Sequence, residues 1–248
     1  MMTDWRFWSF LVACVALILS QLPPLRVLLK KAKLDLELYS RILLYHKVGN
    51  PNVLVHLLLR NVGGSAVRIK KIQLDISRDG EKVISLPAQT YIPDVTKTLQ
   101  SVILASFTLK PEDEWSYHVN FLNYFKRDED KKYRDAELSL KDEILKKKES
   151  VPQNTLVYAS ENLVLPFKEI FNSKYVWLPG EYKVTFTVIT DNTKVNIQKT
   201  YRFILFESQS DEMKSYVDDY KTGDGIYFDS AKHSGISVEL EEVNNDSL

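Results

Sequence analysis

Cysteine is almost absent from this sequence: Cys14 is the one example in 248 residues. Because Cys14 lies inside an apolar N-terminal stretch, the rest of the chain has no thiol for an internal disulfide or a cysteine-based zinc site. This composition fits a reducing compartment. It fits an exported domain equally well, since many exported domains contain no cysteine.

Sequence motifs that carry catalysis are also missing. We find no glycine-rich phosphate loop, no G-x-S-x-G and no H-E-x-x-H. No two of the four histidines have the short spacing of a helical metal pair. His56 and His118 fall in predicted strands, where a histidine is usually packed or hydrogen-bonded, although two distant strands could still bring two of the histidines together. We therefore predict no catalytic residue, no cofactor and no metal site. The four histidines are His46, His56, His118 and His233.

An excess of charge of one sign is lacking as well, since 33 basic residues balance 33 acidic ones. This balance argues against a nucleic-acid partner bound through bulk positive charge. With 44 % hydrophobic residues the chain can bury a proper core. The balance hides an acidic tail, because residues 207–248 hold eleven acidic and three basic residues.

Two acidic clusters resemble parts of a calcium site. The first is Glu112-Asp113-Glu114, and the second is Asp218-Asp219 together with Asp224. Calcium requires six to eight oxygen ligands from several places, and no loop of the EF-hand type accompanies either cluster. We interpret the first cluster as a solvated turn and the second as a mobile acidic stretch.

The one long apolar run lies at the N-terminus, from Trp5 to Leu22. Its length is close to the ~20 residues that cross a bilayer. Trp5 and Trp8 stand where interfacial aromatic anchors occur, and Pro23-Pro24 ends the helix. We predict a transmembrane anchor over residues 1–29. The alternatives are a cleaved signal peptide, a lipoprotein with its lipobox at Cys14, and a buried core helix.

Basic residues follow this run. Lys30, Lys31 and Lys33 are predicted to contact anionic headgroups at the membrane surface. Lys and Arg are more numerous after the predicted span than before it, so the positive-inside rule places the following domain in the cytoplasm. A periplasmic domain is the alternative, because a short N-terminal anchor often precedes an exported domain in bacteria.

Residues 30–206 read as a β-sandwich domain. Alternating apolar and polar residues predict strands, and Asn-, Pro- and Gly-containing turns separate them. Asp79-Gly80 is a typical hairpin turn, since this pair tolerates positive φ. The predicted strands cover residues 34–45, 53–59, 67–76, 82–86, 99–109, 115–121, 155–159, 182–190 and 195–206.

Two segments depart from this pattern. Residues 126–150 hold nine basic and eight acidic residues, with Ala136, Leu140 and Ile144 at four-residue spacing. This spacing predicts a charged amphipathic helix inserted between strands. Residues 207–248 are expected to begin with a short helix and to be loose after Gly223, with docking of Ile226, Tyr227 and Phe228 on the body as the alternative.

Three turn-and-strand motifs resemble those of bacterial immunoglobulin-like modules. They are Leu59-Arg60-Asn61-Val62-Gly63-Gly64, the run Phe107-Thr108-Leu109-Lys110-Pro111 followed by Trp115, and Pro179-Gly180-Glu181-Tyr182-Lys183-Val184. The resemblance implies a mainly β, antiparallel immunoglobulin-like sandwich. The helical insertion departs from the usual module, and the one preceding transmembrane helix is predicted from the apolar run instead. The Cys-Trp-Cys core of antibody domains is absent, and turn motifs bear on fold rather than on function.

These features favour a membrane-tethered, non-enzymatic interaction module. Its expected partners are the lipid bilayer and a protein. A ligand-sensing domain is the first alternative, and an enzyme is the second. Tyr117, Phe121, Tyr124 and Phe125 could form a ligand surface, but we expect them to pack in the core.

Overall fold

The computed structural model describes residues 5–21, 30–93, 100–152 and 154–243. The described helices are α1 (Trp5–Gln21), α2 (Arg127–Glu149), α3 (Glu161–Lys174) and α4 (Glu207–Lys214), and a 3₁₀ helix covers Ser215–Thr222. The strands are β1 (Leu34–Lys47), β2 (Asn50–Asn61), β3 (Val67–Arg78), β4 (Glu81–Ile92), β5 (Val102–Ile103), β6 (Phe107–Leu109), β7 (Glu114–Leu122), β8 (Gly180–Thr190), β9 (Ile197–Leu205), β10 (Ile236–Glu239) and β11 (Glu241–Glu242).

The apolar N-terminal run forms α1, in which most side chains are exposed to solvent. Among the residues that the structure describes, no helix is both long enough and apolar enough to cross a membrane. The predicted transmembrane helix is therefore not found there. Residues 1–4 and 22–29 of the predicted anchor, including Pro23-Pro24, lie outside the described residues.

The described strands form one antiparallel sheet in the order β10-β1-β2-β7-β4-β3-β8-β9-β11, with β5 on β4 and β6 on β3. The long strand β4 joins the two halves of this sheet. Residues 81–87 of β4 pair with β3, and residues 88–92 pair with β7. The sheet curls until β1 contacts β9, so that it is nearly closed on itself. The prediction of a mainly β, antiparallel fold is confirmed at this level.

The core lies inside the curled sheet. Alternate residues of each strand point inward, as the period-two pattern predicts. Phe121 of β7 meets Phe186 of β8 edge to face, with ring centroids 5.7 Å apart, so that both halves of the sheet contribute to one core. Trp177, which is fully buried, donates its indole N–H to the Tyr45 carbonyl at 3.0 Å.

The strand predictions fail at two places. The predicted strand 99–109 is reduced to the short strands β5 and β6, and Leu99 lies outside the described residues. Residues 155–159 form no strand. They lead instead into α3, a helix that the sequence analysis did not predict, which places Val164, Phe167 and Phe171 on one buried face.

The charged segment 126–150 forms α2. Acidic residues occupy its first turn and basic residues its last, which complements the helix dipole. Its buried residues, Tyr133, Leu140 and Ile144, pack with α3 and with the C-terminal segment. Together they form a second apolar cluster beside the sheet.

The segment after Gly223, expected to be loose, is ordered through residue 243. Ile226 is buried in the second cluster, and its carbonyl accepts a hydrogen bond from the Tyr133 hydroxyl at 2.9 Å. Further on, β10 pairs with β1 and β11 pairs with β9. The expectation of a loose tail is therefore wrong for residues 224–243, which these two short strands and the apolar Ile226 hold against the body. Residues 244–248 lie outside the described residues.

Candidate functional site

The three lysines predicted to contact the membrane surface are all exposed: Lys30, Lys31 and Lys33. Backbone hydrogen bonds hold the segment that carries them. The Val62 N–H donates to the Lys33 carbonyl at 3.0 Å, and the Gly64 N–H donates to the Lys31 carbonyl at 3.4 Å. Their side chains are thus presented to solvent from a fixed backbone. The predicted interfacial residues Trp5 and Trp8 are 80 % and 53 % exposed.

Of the four aromatic residues expected in the core, Phe121 is fully buried and Tyr117 is half-buried. Phe125 stacks on Tyr133 of the second cluster. Tyr124 is 63 % exposed, so the core prediction is wrong for it. It lies in the connection after β7, where the strand alternation that buries Phe121 has ended.

His46, near the end of β1, is enclosed by the rings of Phe171, Tyr175 and Tyr216 at centroid distances of 5.4–5.5 Å. The Gly49 N–H donates to His46 Nδ1 at 3.1 Å, so Nε2 carries the proton and donates to the Met213 carbonyl at 3.0 Å. Burial is the main cause that lowers the pKa of His46 to about 4. His46 is therefore a neutral packing residue that links the β1–β2 hairpin to α4.

Asp219, Asp224 and His233 form a cluster whose candidate ligand atoms all lie within 4.8 Å of one another. The carboxylates already have cationic or N–H partners. Lys232 Nζ lies 2.6 Å from Asp219 Oδ2, and His233 Nε2 lies 3.1 Å from the same oxygen. Asp224 Oδ1 accepts the backbone N–H of Ser230 at 2.8 Å.

The contacts of Asp219 bear on whether the cluster can bind a metal ion. Partial burial opposes ionisation of Asp219, but the hydrogen bonds from Lys232 and His233 outweigh it and lower the pKa of this carboxyl. A divalent cation at Asp219 Oδ2 would compete with Lys232 and His233 for that oxygen. The cluster is an internal ion network that fastens the C-terminal segment, and the expectation that Asp219 and Asp224 lie in a mobile stretch is wrong.

The other acidic cluster forms an exposed turn. Asp113 Oδ2 accepts the backbone N–H of Lys110 at 2.8 Å, and Glu114 pairs with Arg60 at 3.3 Å. Asp113 thus has a partner in the turn and Glu114 has one on β2, as expected for a solvated turn rather than for a calcium site.

An open cavity of about 620 Å³ lies between the end of α2 and the part of the C-terminal segment that runs from Thr222 to Phe228. Exposed apolar side chains of Val151, Leu156 and Phe228 line it, and their residues are 36 %, 65 % and 44 % exposed. Lys148, in the basic last turn of α2, stands at the same cavity, and so does Asp224 of the ion network. The sequence analysis missed this site, because its lining comes from two segments, residues 148–157 and 222–228, that lie about 70 positions apart in the chain.

His56 and His118 meet on the outer face of the sheet. They are directly opposite each other on β2 and β7, with ring centroids 4.7 Å apart and planes 36° apart. His56 Nε2 lies 2.8 Å from Ser116 Oγ. Burial, followed by the charge of His56, lowers the pKa of His118. The placement of each histidine in a strand is confirmed, and the structure brings the two strands side by side.

Comparisons with known proteins yield distant structural likeness only. No protein-family model matches the chain, and no curated protein matches it. A crystal structure of a protein from Archaeoglobus fulgidus is 7 % identical, with a TM-score of 0.28, over 71 % of this chain and 94 % of that one.

Spo0M, the sporulation control protein from Bacillus subtilis, is 13 % identical with a TM-score of 0.26. The match covers 76 % of this chain and 55 % of the Spo0M chain. Likeness at this distance carries no argument about function.

Proposed function

We propose that this protein is a membrane-tethered, non-enzymatic interaction module that holds a protein partner in the cavity between the end of α2 and the C-terminal segment. The observation that carries the proposal is the group of exposed apolar side chains around this cavity, Val151, Leu156 and Phe228. Grouped apolar side chains at an open cavity are a typical feature of binding sites.

The lysines beside the cavity indicate the charge of the partner segment. Lys146 and Lys148 lie with Lys147 in the last turn of α2, and only Lys147 is paired within the helix, with Glu143 at 2.6 Å. Asp224 is engaged internally, 3.6 Å from His233. The free positive charge therefore favours a segment in which acidic residues flank an apolar side chain, with the apolar side chain in the cavity.

Site-specific photocrosslinking in the native membrane tests this proposal. A photoreactive amino acid is placed at Phe228 or Leu156 of the full chain, and at Tyr39 as a control, since Tyr39 is 62 % exposed on β1. We expect one partner adduct from the two cavity positions and none from Tyr39. The charge reversal Lys148→Glu should abolish the adduct.

Equal labelling at all three positions, or adducts that survive Lys148→Glu, would refute the cavity as the docking site. A small molecule that co-purifies with the chain, without any protein adduct, would favour the ligand-sensing alternative.

The membrane attachment is assigned to segment 1–29. Every described side chain of α1 that is large and apolar is exposed on the helix, including Phe7, Phe10 and Leu17 at 60–68 %. Such a surface is stable in an apolar layer and costly in water. Trp5 and Trp8 would lie at the interface, and Lys30, Lys31 and Lys33 would contact anionic headgroups.

A charge placed on α1 tests the attachment. Val12 is 64 % exposed near the middle of the helix, where an arginine costs about 2.5–3.5 kcal/mol in a membrane. Val12→Arg should shift the protein from the membrane pellet towards the supernatant, whereas Val12→Leu should not. Equal pelleting of both variants would contradict membrane attachment through α1.

The body is proposed to lie on the cytoplasmic side, since Lys30, Lys31 and Lys33 follow the apolar segment. Alkaline phosphatase and a fluorescent protein are fused after Leu248 of the full chain, each in a separate fusion protein. We expect fluorescence without phosphatase activity. Phosphatase activity without fluorescence would place the body in the periplasm.

We retain the immunoglobulin-like sandwich as the finer description of the fold. It is supported by the transfer of β4 between the two halves of the sheet and by the contact of Phe121 with Phe186. Two sheets that pack face to face in Greek-key order, resolved by crystallography, would establish it.

A further inference from the structure

We infer that His56 and His118 form a binding site for a transition-metal ion of the zinc class on the outer face of the β2–β7 pair. This site is separate from the proposed docking cavity, and it does not rest on the proposed function.

The position of the two rings follows from strand alternation. Val55, Leu57 and Val119 are 0–1 % exposed and point into the core. His56 and His118, their neighbours along the strands, therefore point to the outer face, where both residues are half-buried. Directly opposite residues of an antiparallel pair have Cβ atoms only about 5 Å apart. The two imidazoles are thus held together by the sheet and remain accessible.

The separation of the rings fits a shared ion. A zinc ion lies about 2.0–2.1 Å from an imidazole nitrogen, hence about 3.2 Å from the ring centroid. Two rings on one ion at a tetrahedral angle would have centroids about 5.2 Å apart, and at a right angle about 4.5 Å. The observed separation is 4.7 Å, which lies within this interval. The two rings are thus as close as two imidazoles that share one ion.

The hydroxyl of Ser116 supplies the support that metal-binding histidines usually have. His56 Nε2 lies 2.8 Å from Ser116 Oγ, and in the tautomer that this site requires, the Nε2 N–H donates to the hydroxyl and leaves the lone pair on Nδ1. A ligating histidine commonly donates its other N–H to such a partner, which fixes both tautomer and ring orientation. Ser116 is therefore a positioning residue in this site, and Nδ1 is the ligand atom of His56.

The ligand set defines the class of ion. Imidazole suits zinc, copper and nickel, whereas calcium and magnesium require oxygen ligands. With two protein ligands, the remaining positions on the ion are filled by water. A pair of histidines that only pack against each other is the competing interpretation, and it predicts no metal affinity.

Zinc titration by calorimetry into the full chain in detergent tests the site, at a pH of about 7.5, where free imidazole is mostly neutral. We expect one bound Zn²⁺ per chain, with binding lost in His56→Gln and in His118→Gln. Binding should be retained in His233→Gln, the control for the ion network. Ser116→Ala should weaken binding about 10–100-fold, in line with the loss of a supporting hydrogen bond.

Two further readouts separate metal binding from damage to the fold. Circular dichroism should be unchanged in the histidine variants, and Zn²⁺ should raise the Tm of the parent chain but not that of His118→Gln. The inference is overturned if the parent binds no Zn²⁺ or if both glutamine variants bind it with unchanged affinity. Loss of binding only in His233→Gln would place the ion at Asp219 and Asp224 instead.

Discussion

The pH dependence of stability provides a direct test of the packing around His46. An unperturbed histidine titrates at about 6.5, and burial lowers the pKa of His46 to about 4. Between these values the unfolded chain binds a proton at His46 that the folded chain excludes. The free energy of unfolding should therefore be highest above pH 6.5 and should fall as the pH falls from 6.5 to 4.

The magnitude follows from the two pKa values. They differ by about 2.5 units, and each unit corresponds to about 1.4 kcal/mol, so His46 alone should remove about 3 kcal/mol of stability over this interval. Asp229 favours the protonated ring and His233 opposes it, but both effects are smaller than that of burial. The loss is a large fraction of the 5–15 kcal/mol that is typical of a domain.

Urea unfolding of the full chain in detergent, followed by tryptophan fluorescence from pH about 7 to about 4, measures this dependence. The variant His46→Gln has an amide N–H to offer the Met213 carbonyl and no group that titrates in this range. It should be less stable than the parent at neutral pH, and the difference should shrink by about 3 kcal/mol towards pH 4. A difference that stays constant across the interval would refute the burial of a neutral His46.

Three further predictions concern packing and charge. Gly49→Ala should destabilise the protein more than Gly80→Ala. Both glycines have positive φ, +80° for Gly49 and +88° for Gly80. A Cβ at Gly49 would lie 2.7 Å from the backbone of Phe171, whereas a Cβ at Gly80 would have no atom within 4 Å. The positive φ should cost both variants about 1–2 kcal/mol of stability, and the clash with Phe171 should cost Gly49→Ala about 1–3 kcal/mol more. Equal urea midpoints for the two variants would contradict the tight packing at Gly49. Tyr133→Phe should cost about 0.5–1.5 kcal/mol by urea unfolding, since it removes the hydrogen bond to Ile226, and an unchanged midpoint would argue against that bond. Replacing Lys30, Lys31 and Lys33 by glutamine should weaken binding to anionic vesicles by about 1 kcal/mol per charge and leave binding to neutral vesicles unchanged. An equal loss of binding to both kinds of vesicle would contradict contact between these lysines and anionic headgroups.

Local patterns predicted those elements of the fold whose signal is local. The alternation in β2, β7 and β8 and the turn at Asp79-Gly80 all appear in the structure, where Asp79 and Gly80 have φ of 52° and 88°. The helix α2 is marked by Leu140 and Ile144 at four-residue spacing together with its charge distribution.

The missed elements have weak or conflicting local signals. In α3, Pro166 lies inside the helix, where it removes a backbone hydrogen bond and argues against helix in the sequence. Burial of Val164, Phe167 and Phe171 in the second cluster overrides this cost. The strands β10 and β11 have four and two residues, too few for a recognisable alternation, and their partners β1 and β9 determine them.

The candidate sites depend even more on partners that are remote in sequence. Alternation in each strand alone places His56 and His118 outside the core, but only the pairing of β2 with β7, in the register that sets Val55 opposite Val119, sets the two rings opposite each other. A slip of one residue in this register would turn His118 to the inner face and one of the buried residues outward. Val55, Leu57 and Val119 are buried, and a slip would lose apolar contacts that these side chains make in the core. This loss of apolar burial disfavours the slip. The core thus fixes the geometry of an exposed site to which it contributes no atom, and the histidine pair can be recognised only once the strand order is known.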